Sequence, residues 1–334
     1  MSSLDQFASE FASLAWGPWL VFLLLGSGAY FLIRSSLTPF KHLAHAFAVL
    51  VGKHKTKSDV GDVSSFKALA ASLSGTIGLG NIAGVAVAIQ VGGPGAIFWM
   101  WVTAIFGIAT KFFTCTLSVM YREVDPNGDT RAGPMYVVKN GLPKYMLPLA
   151  YFFAFFGMIG CLAAFQSNQI VQITKDLYFE NIINFEYFAG IFLMVITALV
   201  ILGGLKRIAT VASWLVPFMA GLYLIAVLIA ILLNFESFIP SLLLIFSEAF
   251  NANSAISGGI AGVIITGIRR GAFSNEAGIG TEAMIHGAAK TSHPVKQGLV
   301  AMTGPIFDTL IMCTLTALVI LVSGVWQDSG STGV

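Results

Sequence analysis

The sequence has little charge. Of its 334 residues only 10% are Asp, Glu, Lys or Arg, against 56% from the apolar and aromatic set, and the mean hydropathy is +0.83. Soluble domains carry about 25% charged residues, so a globule of this composition would lack the polar surface to stay dissolved. Neither sign is in excess, with 18 Lys and Arg against 16 Asp and Glu. That balance excludes a broad basic face for nucleic-acid phosphates. Cysteine is scarce: Cys115, Cys161 and Cys313 all lie in apolar stretches, without C-x-x-C spacing or an even-numbered framework. No basic segment precedes the first apolar run, 15–33, which is long enough to be a retained span instead of a cleaved signal. Enzyme signatures are missing too: there is no H-E-x-x-H and no pair of aspartates inside apolar runs. The five histidines, His42, His45, His54, His286 and His293, have no metal-ligand spacing and read as solvated.

What is present is a series of long apolar runs. Candidates of roughly 20 residues fall at 15–33, 68–91, 96–120, 145–172, 187–202, 209–234 and 298–323, with a short, broken one near 256–268. This predicts an all-α polytopic membrane helix bundle of about eight transmembrane helices in one domain over 1–334. The run 238–250 is too short to cross and is placed at the interface. Sixteen of the eighteen Lys and Arg residues fall in loops on one side, including Arg269, Arg270, Lys290 and Lys296 after the seventh span. Lys175 lies opposite and Lys111 sits within a span, where it reads as a snorkelling anchor. Because such residues are enriched in cytoplasmic loops, the N-terminus is expected outside a plasma or inner membrane.

Two segments are rich in glycine at membrane depth. Ser74-Gly75-Thr76-Ile77-Gly78-Leu79-Gly80-Asn81 carries three glycines in six residues, and 256–268 carries Gly258, Gly259, Gly262 and Gly267. The two lie five spans apart and so cross in opposite directions, the relation expected of an inverted repeat with a discontinuous helix in each half. Unwound backbone is tolerated there only where it lines a cavity. The plain alternative is close helix packing through small residues.

Several motifs in order resemble the alanine or glycine:cation symporter family: 74–84, Gly92-Gly93-Pro94-Gly95-Ala96-Ile97-Phe98-Trp99, Ala109-Thr110-Lys111-Phe112, Gly133-Pro134-Met135-Tyr136 and Phe273-Ser274-Asn275-Glu276-Ala277-Gly278. The resemblance implies a LeuT-type fold: an extra N-terminal helix at 15–33, a first five-helix repeat over 66–234 and a partial second repeat over 256–323. It implies sodium-coupled uptake of alanine or glycine by alternating access, with no cofactor beyond sodium as coupling ion. The other readings are a fragment of such a transporter without activity, or a channel-like membrane protein. The bilayer, the amino acid and sodium are the expected partners, and nothing in the sequence fixes an oligomeric state.

Thr76, Gly78, Gly80 and Asn81 are then expected to bind substrate, with Gly75 and Ile77 offering carbonyls to the ion; free N–H groups at a half-helix N-terminus hold a carboxylate. Gln166, in the Gln-Ser-Asn run of the third core helix, is carried over as a substrate ligand, unless the helix simply ends there. Ile264, Ile265 and Thr266 are expected in the pocket, or else in lipid or core contact. Asn275 and Glu276 read as an inner gate. Asp308 is the one acidic residue deep in a span, either functional or hydrogen-bonded to a neighbouring helix. The second repeat stops after two helices, so the chain reads as truncated at its C-terminus.

Overall fold

A computed structural model describes residues 3–53, 59–251 and 259–327. In chain order its helices are α1 (Ser3–Ala15), α2 (Pro18–Arg34), α3 (Thr38–Lys41), α4 (Leu43–Leu50), α5 (Ser65–Thr76), α6 (Leu79–Gly92), α7 (Ala96–Met120), α8 (Pro134–Gly141), α9 (Leu147–Gly160), α10 (Ala164–Thr174), α11 (Phe185–Ile201), α12 (Gly204–Leu233), α13 (Phe238–Glu248), α14 (Gly259–Asn275), α15 (Thr281–Gly287), α16 (Pro294–Ala301) and α17 (Thr314–Ser323). Two-residue strands β1 (Glu123–Val124) and β2 (Thr130–Arg131) form a hairpin after α7. A π-helical stretch, Ile306–Cys313, joins α16 to α17. The fold is that of a multi-pass all-α membrane protein.

Among the described residues four helical stretches are long and apolar enough to cross a bilayer unaided: Ser9–Arg34, Ala96–Met120, Gly204–Leu233 and Pro294–Ser323. The pair α5 and α6, bent by 41° at its break, is together long and apolar enough for a span, and Lys144–Gly160 and Phe185–Ile201 are shorter apolar helices. The expected run 145–172 is thus not continuous, because α9 stops at Gly160 and α10 restarts at Ala164. The 238–250 segment forms α13, which folds back onto the start of α7: the Trp99 indole donates to Ala249 O at 2.9 Å, and Ser241 and Ile245 are buried.

Helix α7 is the axis of the bundle. Its unbroken apolar sequence packs on α2, α14, α15 and α16. Small residues permit the close approaches: a Cβ on Gly267 would lie 2.3 Å from Ala96 O, and one on Gly28 would meet Phe106 Cβ at 2.7 Å. A core of Val85, Ile89, Ile97, Met100, Ile245, Val263, Cys313 and Leu321 fills the space between α6, α7, α13, α14 and α17. On α9, α11 and α12 the large apolar residues, among them Phe152, Phe192, Trp214 and Leu222, face outward, as lipid contact requires.

Three sequence expectations change here. Helix α14 runs without interruption through 259–275, so Arg269 and Arg270 lie inside a helix and not in a loop. The part of the second glycine segment at 252–258 lies outside the described residues, as does His54. Lys111 does not snorkel: it is 1% exposed, enclosed by α7, α15 and α16. His286 is fully buried instead of solvated, its Nδ1 2.6 Å from Gln297 Nε2.

Candidate binding site between two helix breaks

The Gly-rich run after Leu73 ends α5 at Thr76, and the chain re-enters a helix at Leu79, leaving Ile77 and Gly78 between two half-helices. Gly78 N–H donates to Asn81 Oδ1 at 3.1 Å, which satisfies one of the amides a helix N-terminus leaves free. A second break separates α14 from α15. Asn275 stops α14 by accepting the Ala277 N–H at 2.9 Å, and Gly278 and Gly280 adopt φ of 93° and 92°, a region in which an L side chain is strained. The Glu276 carboxylate accepts from Thr281 Oγ1 at 2.5 Å, at the start of α15. The two breaks adjoin: a Cβ on Gly75 would lie 3.9 Å from Glu276 Oε1, and one on Gly80 3.6 Å from Ser274 Cα.

Asp308 sits where these breaks meet the π-helical stretch. Asn81 Nδ2 donates to Asp308 O at 2.9 Å and to its Oδ1 at 2.8 Å. Ser274 Oγ and Thr309 Oγ1 both donate to Oδ2 at 2.8 Å, and Cys313 Sγ lies 3.2 Å from Ser274 Oγ. All five side chains are buried. A carboxylate sealed at membrane depth is costly without compensation, and three side-chain donors supply it. Its surroundings are oxygen-rich, with Ser274 Oγ and Thr309 Oγ1 beside the carboxylate oxygens. Hard monovalent and divalent cations prefer such a set over nitrogen or sulfur. Among the described residues no group of three or more His, Cys, Asp or Glu side chains is placed to hold a metal.

The residues expected from the sequence divide sharply. Asn81, Asp308, Asn275, Glu276, Gly75, Gly78 and Gly80 come together at the junction. Thr76 and Ile77 flank it, both buried, with Thr76 Oγ1 turned back to Leu73 O at 3.4 Å. Ile264, Ile265 and Thr266 do not join: they lie ten to twelve residues before the second break, about 15–18 Å along α14 at 1.5 Å per residue, and Thr266 packs on Gly92. Gln166 is exposed on α10. Its neighbours Gln169 and Gln172, with Asp176, instead line a cavity of about 750 Å³ shared with Leu79, Gln90, Tyr223 and Thr316. Ser274 and Cys313 were not singled out by sequence reasoning. Ser274 stood inside the quoted Phe-Ser-Asn-Glu motif, one residue from the turn-forming Asn, and that position was its signal.

A second buried polar group lies on the α15 side of the junction. Glu282 accepts from Thr114 Oγ1 at 3.4 Å, while Glu282 Oε2, His286 Nε2 and Gln297 Oε1 are buried without a partner. The Arg122 guanidinium closes this end of the bundle by donating to the carbonyls of Val60, Gly287, Ala289 and Thr291 at 2.7–3.0 Å.

Two interrupted helices facing one buried carboxylate inside a multi-pass bundle define a membrane carrier, not an enzyme. The family model for the sodium:alanine symporter family matches residues 1–334, and the chain belongs to that family. It is 43% identical to the sodium/alanine symporter AgcS of Methanococcus maripaludis, over 96% of this chain and 71% of that one. It is 39% identical to the putative sodium/proton-dependent alanine carrier YrbD of Bacillus subtilis, over 99% of this chain and 67% of YrbD, and 37% identical to the probable sodium/glutamine symporter GlnT of the same organism, over 96% and 66%.

Proposed function

We propose that the chain carries a small neutral amino acid, alanine or glycine, into the cell together with sodium. The reading rests on one observation above all: the breaks at Ile77–Gly78 and at 276–280 face each other across Asp308, Asn81 and Ser274. In this scheme Asp308 is the anion that the coupling cation neutralises, with Ser274 and Thr309 as further oxygen donors and the Asn81 amide N–H holding the carboxylate in place. The α6 N-terminus, with Gly80 keeping its backbone open, holds the substrate carboxylate. Thr76, Gly78 and Asn81 contribute on the substrate side, and the carbonyls of Gly75 and Ile77 on the ion side. Asn275 and Glu276 form the hinge through which α15 swings. The backbone pattern supports a LeuT-type arrangement of inverted repeats, with the Ala96 end of α7 outside.

Coupling follows from charge. Moving one sodium down about 100 mV releases roughly 2.3 kcal/mol, and a tenfold sodium gradient adds about 1.4 kcal/mol. Together these sustain an amino-acid gradient of roughly several hundredfold. The test is alanine uptake into proteoliposomes with sodium or choline outside. Sodium-dependent accumulation is expected, and uptake indifferent to sodium would refute the coupling.

A further inference from the structure

Arg269 and Arg270 are the least explained residues of the molecule. They stand side by side within α14, in a segment packed against the transmembrane α7, yet neither takes part in an ion pair among the described residues. Arg269 Nε is buried without a hydrogen-bond partner. With Trp16 and Phe273 the two arginines line a cavity of about 260 Å³, and among the described residues no acidic side chain lines it. Phe273 lies three and four residues on, on the same helical face. Trp16, from the α1–α2 turn, stacks edge-on against it with ring centroids 6.0 Å apart. Both arginines are half-buried, and a buried guanidinium N–H without an acceptor is costly, so this arrangement favours an anion.

Depth identifies the kind of anion. Gly267 packs against Ala96 and Trp99, and Gly271 against Met100 and Thr103, so the arginines between them stand level with the first two turns of α7. At 1.5 Å per residue α7 is about 37 Å long, against a hydrocarbon layer of about 30 Å. The pair therefore lies at the edge of that layer, where headgroup phosphates begin. Trp16 fits that level, since Trp is enriched at membrane interfaces. We propose that Arg269 and Arg270, walled by Trp16 and Phe273, bind the phosphate group of an anionic phospholipid. The guanidinium forks present paired N–H donors matched to phosphate oxygens, and two positive charges favour a headgroup with net negative charge over a zwitterionic one. The site shares α14 with the Asp308 junction but none of its residues, so it stands independently of the transport reading.

The experiment is native mass spectrometry of the purified chain in detergent, with phosphatidylglycerol and phosphatidylcholine added in equal amounts. Each interfacial cation contributes roughly fivefold to binding an anionic headgroup. The wild type is thus expected to retain phosphatidylglycerol over phosphatidylcholine by about twentyfold, and the Arg269→Gln/Arg270→Gln variant to fall to near parity. Arg269→Lys/Arg270→Lys keeps the charge and loses the forked geometry, so an intermediate preference is expected; it also guards against misfolding of the Gln variant. Equal retention of the two lipids by the wild type overturns the proposal. So does displacement of phosphatidylglycerol by millimolar inorganic phosphate, which would mark a site for free anions, and so does an undiminished preference in the Gln variant.

Discussion

The two helix breaks are built differently. The first, Ile77–Gly78, is two residues long and is braced from inside its own span, by Gly78 N–H donating to Asn81 Oδ1. The second, 276–280, is five residues long and is held by an Asn275 turn, by two left-handed glycines and by Thr281 bonding to Glu276. A short, internally braced break suits a fixed half of a binding site, and a longer one with its own hinge suits the half that moves. Asp308 joins them, accepting from Asn81 at the first and Ser274 at the second.

Substitutions at the junction separate the two halves. The largest effect is expected for Asn81→Ala. It removes donors from both Asp308 O and Oδ1 and leaves Gly78 N–H unpaired, a loss of roughly 2–4 kcal/mol for buried, partly charged hydrogen bonds. Alanine affinity, measured by equilibrium binding in sodium, should fall about 30-fold or more, and near-normal affinity would remove Asn81 from the site. Ser274→Ala takes one donor from the carboxylate at the second break. A weakening of sodium affinity of about tenfold is expected in a sodium titration of uptake, with alanine affinity at saturating sodium little changed. Gly267→Ala acts on packing instead: its methyl would press on Ala96 O across the α7–α14 contact. Overpacking of this kind costs about 1–3 kcal/mol, read as a lowered unfolding midpoint in detergent. Smallest of all, Gln166→Ala and Ile264→Ala should change the half-saturating alanine concentration by less than about threefold, since both side chains lie away from the junction.

The first break was legible because three glycines in six residues leave an α-helix little reason to continue. The second was misplaced for a physical reason. Glycine in an apolar run has two uses, breaking a helix and letting another helix approach, and composition does not tell them apart. Gly267 and Gly271 serve the approach, lying against Ala96 and Met100, whereas the break comes at the Ser-Asn-Glu-Ala-Gly motif, where an Asn side chain ends the helix and Gly278 and Gly280 turn the chain. Asp308 stood out as a lone carboxylate in an apolar span, but its partners Asn81 and Ser274 are 227 and 34 residues distant in sequence, beyond any periodicity. Lys111 was misread because a lysine stem is long enough to reach an interface; its burial among α7, α15 and α16 depends on tertiary packing. Gln166 was carried over by motif, and only the start of α10 at Ala164 sets which glutamines of that run face the cavity.

The central claim is that Asp308, held between the two breaks, is where sodium and amino acid are coupled. Alanine-dependent uptake of radioactive sodium into proteoliposomes, compared between the wild type and Asp308→Asn, tests it most directly. External alanine should drive sodium entry in the wild type, and the Asn variant, isosteric but uncharged, should lose that entry at least about 100-fold. Sodium entry that ignores alanine, or that persists undiminished in Asp308→Asn, would contradict the account.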